Sequence, residues 1–332
     1  KGGLRPAFFL FSARSNLRLD CRMTQRASSQ PFPVAVRNSE LFFADASAEE
    51  LSQRPFLFGD FPGRRPVKSS QITASAPPVT TRYILHTAFC CSTLLARSLD
   101  RPGQVLALKE PDIYMQLANA QRMGQGAGQS SVLRHVEKRL SDYGAAYGER
   151  VLVKPTNTAN RIAKDALANS DSKTVIIHSD LRSFLLSIAK KGEEGRSFGR
   201  RLFNIFRLDH EFPNSQSDRD LFTLSDLQIA AFVWGLQCDQ LNSAAQSAKG
   251  KVAAIHCDAF LADPGKTLTA ASAFLDLGLS DDDIREQVNS GVFEQNSKAA
   301  EQGYDAAERE SERKAFFDQY ADAIGFVEDW AR

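Results

Sequence analysis

The 332-residue chain has almost no net charge and no long apolar run. Its 41 basic residues nearly balance its 40 acidic ones, so the overall charge does not favour a nucleic acid or an anionic membrane surface as a partner. No stretch approaches the roughly 18 consecutive apolar residues that a membrane-spanning helix needs. We therefore expect no nucleic-acid and no membrane partner, and any anion site must be local.

Cysteine is scarce as well. The five cysteines are Cys21, Cys90, Cys91, Cys238 and Cys257. They show neither CxxC spacing nor the density of a disulfide framework, so a reducing cytosol is the simplest compartment. The acidic run 281–283 after Ser280 is interpreted as a helix start, because acidic side chains favour the positive end of the helix dipole. The sequence thus predicts a cytoplasmic protein without a metal site.

The first 26 residues are poor in acid. They carry Lys1 and five arginines against the single acidic residue Asp20. We interpret residues 1–26 as translated upstream sequence with the natural start at Met23. An Arg- and Ser-rich organelle transit segment is the alternative. In either case we expect this segment to lie outside the fold.

The remainder divides into an extended lead-in over residues 27–80 and an α/β domain over residues 81–332. Short β-branched runs alternate with amphipathic ones, which predicts a mostly parallel sheet with helices on both faces, a three-layer architecture. The predicted strands are Tyr83–Thr87, Val105–Leu108, Val151–Val153, Thr174–His178 and Val252–Ile255. The predicted helices are Ser92–Leu99, Val132–Tyr143, Asn160–Ala168, Arg182–Lys190, Asp226–Ala248 and Pro264–Leu277. We interpret residues 192–225, which are charged and rich in Phe, as a helical or lid insertion.

The segment 83–99 is the most informative one. A β-branched and aromatic run ends in a small-residue turn that opens into a helix with Ser92 and Thr93 in its first turn. This order aims backbone N–H groups and the helix dipole at one point, which suits a phosphate or a sulfate. The GxxxxGK[ST] motif is absent, so the turn is not a Walker A loop. An ordinary buried strand–helix unit is the alternative.

Four segments then follow a family pattern in the same order, over about residues 80–298. They are Cys91-Ser92-Thr93-Leu94-Leu95, Val151-Leu152-Val153-Lys154-Pro155-Thr156, Ser179-Asp180-Leu181-Arg182 with Ser187, and Asp258 to Leu279. Together they resemble the sulfotransferase family within the P-loop nucleoside-triphosphatase-like folds. The first is similar to the 5′-phosphosulfate loop of that family. The third is similar to its 3′-phosphate segment.

The resemblance implies transfer of a sulfonate from 3′-phosphoadenosine 5′-phosphosulfate (PAPS) to a hydroxyl or amine of a small molecule or glycan. It implies that Lys154 neutralises charge on the bridging oxygen and that Glu110 or His86 accepts the acceptor's proton. The residues it places at the donor are Phe89, Cys90, Cys91, Ser92, Thr93, Leu94, Ser179, Arg182, Ser187 and Lys298.

The chain departs from the family at three of these positions. Phe89 stands where the loop usually has Arg or Lys, Cys91 where glycine is usual, and Ser179 where an arginine holds the 3′-phosphate. The cations that might replace them are Lys109, Lys154, Arg182 and Lys298. A sulfotransferase-like binding protein without turnover is therefore one alternative function. A small-molecule kinase is another, although the lysine of the P-loop is missing.

Three candidate residues have structural alternatives. Lys154 and Glu110 each end a strand before a proline, which predicts extended backbone for both. Lys154 could be a solvated lysine, and Glu110 could form a salt bridge with Lys109 or Lys154. His86 could be a hydrogen-bonded core residue.

Overall fold

A computed structural model describes residues 31–37, 40–59, 68–71, 79–125, 129–168, 171–210, 218–296, 299–303 and 306–332. At its amino-terminal end, strands β1 (Phe32–Arg37), β2 (Glu40–Ala44) and β3 (Lys68–Gln71) form an antiparallel sheet in that order. Helix α1 (Ala48–Gln53) follows β2. This part of the expected lead-in is thus regular structure, and it packs into the same core cluster as the main domain.

Five strands form the central sheet. They are β4 (Arg82–His86), β5 (Val105–Lys109), β6 (Arg150–Lys154), β7 (Lys173–His178) and β8 (Val252–His256). All pair in parallel, in the order β5-β6-β4-β7-β8. Parallel strands end on the same side of the sheet, so the residues that follow β4, β5, β6 and β7 meet at one edge.

Helices connect and cover these strands. They are α2 (Ser92–Leu99), α3 (Asp112–Arg122), α4 (Gln129–Ala146), α5 (Ala163–Ala168), α6 (Leu181–Lys190), α7 (Gly192–Phe206), α8 (Asp218–Phe222), α9 (Asp226–Ser247), α10 (Cys257–Ala262), α11 (Pro264–Phe274), α12 (Asp281–Asn289) and α13 (Ala306–Trp330). A 3₁₀ helix, Asn157–Ile162, precedes α5. The short strands β9 (Gln295–Asn296) and β10 (Ala299–Gly303) pair antiparallel between α12 and α13.

Both faces of the central sheet are buried by different layers. Along β4, Tyr83 and Leu85 enter one core cluster with residues of α3, α4 and α9, whereas Ile84 enters another with residues of α2, α11 and α12. Because side chains alternate along a strand, this split shows helices on both sides of the sheet. The structure is therefore α/β with three layers, as the sequence predicts.

Local signals fixed several boundaries. Ser280 caps α12 in a capping box with Asp283, in agreement with its interpretation as a helix start. Helix α2 has the predicted bounds, whereas α3, α10 and α13 are additional to the predicted helices. The stretch 192–225 contains α7 and α8, and its function as a lid stays a prediction. None of the helices in the described part of the chain is long and apolar enough to cross a bilayer.

Candidate active site

Helix α2 starts directly after a tight loop, residues 87–91, at the carboxyl end of β4. Phe89 and Cys91 in this loop have φ angles of 58° and 61°, a left-handed region that side chains other than glycine seldom adopt. Left-handed residues in a turn direct successive N–H groups toward a common concavity, and the dipole of the helix adds to its positive potential. Among the described residues no side chain caps α2 at Cys91. The loop can therefore offer backbone N–H groups to an anion.

The first turn of α2 is firmly packed. Ser92, Thr93 and Leu94 are all buried, and Leu94 belongs to the core cluster under α2. Burial fixes the position of the helix start relative to the sheet, as a preformed anion site requires.

The thiol of Cys90 links this loop to the neighbouring strand. It is buried and donates to the carbonyl oxygen of Thr87 at 2.9 Å. Burial raises the pKa of Cys90 to about 11, against a smaller opposing effect of the Lys154 ammonium. The thiol is thus uncharged at neutral pH, and the positive charge of Lys154 acts on the loop.

Lys154 and Glu110 form an ion pair at the ends of β6 and β5. The Lys154 Nζ lies 2.6 Å from the Glu110 Oε1, and the two side chains are 1% and 15% exposed. The register that aligns Lys109 with Lys154 places the next residue, Glu110, beside the ammonium. The salt bridge that sequence analysis gave as the alternative for Glu110 is therefore present, and Lys154 is not a solvated lysine.

The backbone at Glu110 differs from the prediction. Extended backbone was expected before Pro111, but Glu110 has a φ of 58°. Its N–H donates to the carbonyl oxygen of Lys154 at 2.6 Å, and the chain turns here so that α3 can begin at Asp112. A left-handed residue costs about 1–2 kcal/mol. Three of the four non-glycine residues that are described with positive φ, namely Phe89, Cys91 and Glu110, thus lie at this edge of the sheet.

His86 does not have the surroundings of a proton acceptor. Its Nδ1 lies 2.8 Å from the carbonyl oxygen of Thr87, and its Nε2 lies 3.0 Å from that of Pro155. A base must present an unprotonated nitrogen to its substrate, and here both ring nitrogens of a buried side chain face backbone acceptors. We correct the catalytic assignment of His86 accordingly. It is the hydrogen-bonded core residue of the alternative interpretation.

Phe89 packs its ring against other rings, not toward a charged group. The ring centroids of Phe184 and Phe198 lie 5.8 Å and 5.4 Å away. These contacts anchor the loop to α6 and α7. In this position Phe89 contributes to loop conformation, and it cannot replace the cation expected in the loop.

The predicted 3′-phosphate segment has most of its groups engaged elsewhere. Arg182 is 55% exposed and binds Glu328 of α13 through its Nη2, at 2.6 Å. The hydroxyl of Ser187 donates to the carbonyl oxygen of Ser183 one turn earlier, at 2.9 Å. Ser179 is fully buried, and its Oγ has no hydrogen-bond partner among the described residues. The segment therefore lacks the arrangement that the resemblance implies for Arg182.

Of the remaining cations, Lys109 is structural. Its buried ammonium binds the Asp100 carboxylate at 3.1 Å and the Ser52 carbonyl oxygen at 2.7 Å, at the far end of α2. It therefore does not replace a missing donor contact, contrary to expectation. Lys298 lies outside the described residues.

Sequence analysis missed the polar residues that hold the loop. The Oε1 of Gln237 in α9 accepts from the Ala88 N–H at 3.0 Å and from the Asn157 amide at 2.8 Å. The Asn160 amide donates to the His86 carbonyl oxygen at 3.0 Å. Gln237 interrupts an apolar row that Val233 and Leu241 share, which was the only available signal in the sequence.

The carboxyl end of β8 carries a compact polar group. His256, Cys257 and Asp258 have potential ligand atoms within 4.8 Å of one another. The Nδ1 of His256 accepts from the Asp258 N–H at 3.3 Å and so caps α10. Burial and the Asp258 carboxylate raise the pKa of the Cys257 thiol. These contacts explain the group as a helix start, and we assign no metal to it.

Known proteins with a similar structure are sulfotransferase domains. The chain is similar to the sulfotransferase domain of the curacin biosynthetic pathway (TM-score 0.43, 13% identity, 69% of this chain and 84% of that one). It is also similar to the sulfotransferase domain of a Synechococcus olefin synthase (0.43, 12%, 72% and 89%) and to a sulfotransferase of Mycobacterium tuberculosis (0.40, 13%, 74% and 78%). No family model and no curated protein matches the sequence. The likeness is partial, so the functional proposal below rests on the residues of this chain.

Proposed function

We propose that the protein transfers a sulfonate from PAPS to a hydroxyl or amine of a small molecule or glycan. The observation that carries this proposal is the uncapped, left-handed loop before α2 with the Lys154 ammonium beside it. Backbone N–H groups, a helix dipole and one buried cation are the features that hold a phosphosulfate group.

The residues would divide the work as follows. PAPS supplies an activated sulfonate on a phosphate leaving group. The N–H groups of Cys91, Ser92 and Thr93 hold the anionic end, while Lys154 offsets the negative charge that develops as the bridging bond breaks. Glu110, which fixes the ammonium at 2.6 Å and stays partly exposed, accepts the proton of the attacking hydroxyl or amine.

A binding protein without turnover is the second candidate. It is favoured by the neutralisation of Lys154 by Glu110, by the aromatic contacts of Phe89 and by the engagement of Arg182 with Glu328. In this case the loop binds a nucleotide but lacks the free positive charge for catalysis.

Thermal shift with adenosine 3′,5′-bisphosphate, ATP or sulfate tests the proposal, because a ligand at 100 times its Kd stabilises the native state by about 2.7 kcal/mol. Adenosine 3′,5′-bisphosphate should raise the melting temperature most. Stabilisation by ATP alone would favour a kinase. Transfer of labelled sulfonate from PAPS to a panel of phenols, amines and sugars then separates an enzyme from a binding protein.

Two matched variants locate the site. Lys154→Met and Lys109→Met each remove a buried, ion-paired lysine from the end of adjacent strands, but only Lys154 acts on the loop. Lys154→Met should weaken binding of adenosine 3′,5′-bisphosphate by about 1.5–3 kcal/mol, the contribution of a charge-assisted hydrogen bond. Lys109→Met should leave this affinity unchanged. Equal effects of both variants, or no binding to the unmodified protein, would overturn the donor-site assignment.

A further inference from the structure

A pocket of about 460 Å³ lies between α9 and the last two strands of the sheet, away from the Lys154–Glu110 pair. Ile176 of β7 is buried there, whereas Ala254 on the neighbouring edge strand β8 is exposed. Helix α9 thus covers β7 but leaves part of β8 open. The volume falls in the range of small-molecule sites, about 300–1,000 Å³.

The walls of this pocket are mostly apolar. Ile176, Leu241, Val252 and Ala254 contribute aliphatic surface. The indole N–H of Trp234 donates to the carbonyl oxygen of Ser179 at 3.0 Å, so its polar atom is satisfied and its ring adds apolar surface. Burial raises the pKa of the Cys238 thiol to about 12, which keeps this wall residue uncharged.

One polar group of the wall is not satisfied. Thr87 is 0% exposed, and among the described residues its Oγ1 has no hydrogen-bond partner. A buried hydroxyl without a partner is costly, and a ligand that exchanges a hydrogen bond with it recovers that cost. The other polar side chains of the wall include His178, whose ring packs edge-on against His256 at 5.2 Å.

We propose that this pocket binds a small organic molecule that is apolar over most of its surface and carries one hydroxyl group, which pairs with Thr87. An apolar cavity with few polar groups selects such a ligand, because the body gains from burial and the hydroxyl sets its orientation. Thr87 is also the first residue of the loop before α2, so the ligand contacts the base of that loop. The site does not depend on the proposed sulfonate transfer.

The test uses two fluorescent probes, 2-naphthol and naphthalene, which differ by a single hydroxyl. Both are titrated into the full chain with excitation outside the tryptophan band. Wild-type protein should bind 2-naphthol more tightly than naphthalene. Thr87→Val, which keeps the side-chain shape, should weaken 2-naphthol about 3- to 10-fold and leave naphthalene unchanged.

A second pair of variants keeps the test decisive if Thr87→Val fails to fold. Ala254→Trp fills the pocket from an exposed position, and Ala145→Trp adds the same side chain to an exposed position of α4 that does not line the pocket. Ala254→Trp should abolish binding of both probes, and Ala145→Trp should preserve it. Probe binding that survives Ala254→Trp, or absence of saturable binding to the wild type, would overturn the proposal. A second copy or a peptide on β8 would appear instead as a larger species in size-exclusion chromatography.

Discussion

The Lys154–Glu110 pair allows a sharp test by a double-mutant cycle. At 2.6 Å and an effective dielectric constant of 20, the attraction between the two charges is about 6 kcal/mol, against which stands the cost of removing both from water. Breaking such a pair at one side costs about 3–5 kcal/mol, because it leaves an uncompensated buried charge.

The two single variants should differ, because the two side chains are unequally buried. Glu110→Gln leaves the ammonium of Lys154, which is 1% exposed, and should cost about 3–5 kcal/mol of unfolding free energy. Lys154→Met leaves the carboxylate of Glu110, which is 15% exposed and can be hydrated, and should cost about 1–3 kcal/mol. The double variant should cost little more than Lys154→Met alone.

Urea denaturation of the four proteins at pH 7 measures these values. In Glu110→Gln the buried lysine acquires a lowered pKa, so the folded state binds fewer protons than the unfolded state. Its stability should therefore rise with pH where the wild type shows no such slope. If the two single effects add in the double variant to within about 0.5 kcal/mol, the charges are not coupled and the ion pair is not the structural element described here.

Three further predictions concern residues outside this pair. Arg182→Ala should leave both the melting temperature and the affinity for adenosine 3′,5′-bisphosphate nearly unchanged, because Arg182 is engaged in an exposed ion pair with Glu328; a large loss of affinity would restore it to the donor site. Asp209→Asn should destabilise the protein by about 3–5 kcal/mol in urea denaturation, because Arg122, 5% exposed and 2.7 Å from Asp209, would keep a buried charge without its counterion; a loss below about 1 kcal/mol would contradict this. Burial and His256 lower the pKa of His178 below 6.5, so the folded state binds fewer protons and stability should fall as the pH drops below about 6.5; His178→Gln should flatten this slope, and an unchanged pH profile would refute the assignment.

The sequence by itself determined the layers of this protein. Apolar runs of strand length, with β-branched residues as in Thr174–His178, indicated strands, and helical spacing in Asp226–Ala248 indicated the long helix. The small-residue turn before Ser92 predicted the start of α2 correctly. These features depend on neighbours within one or two turns of chain, so local periodicity and capping are sufficient to reveal them.

Only the tertiary structure decided what each charged side chain contacts. The Lys154–Glu110 pair joins residues 44 positions apart, and it exists because β5 and β6 are neighbours in register. Arg182 binds Glu328 across 146 positions, through a terminal helix that sequence analysis did not predict. Strand order in the sheet, β5-β6-β4-β7-β8, does not follow chain order, so the partner of an ammonium at a strand end cannot be read from spacing. For the same reason the sequence could place Lys109 and Lys154 at one sheet edge but could not distinguish the lysine that faces the loop from the one that binds Asp100.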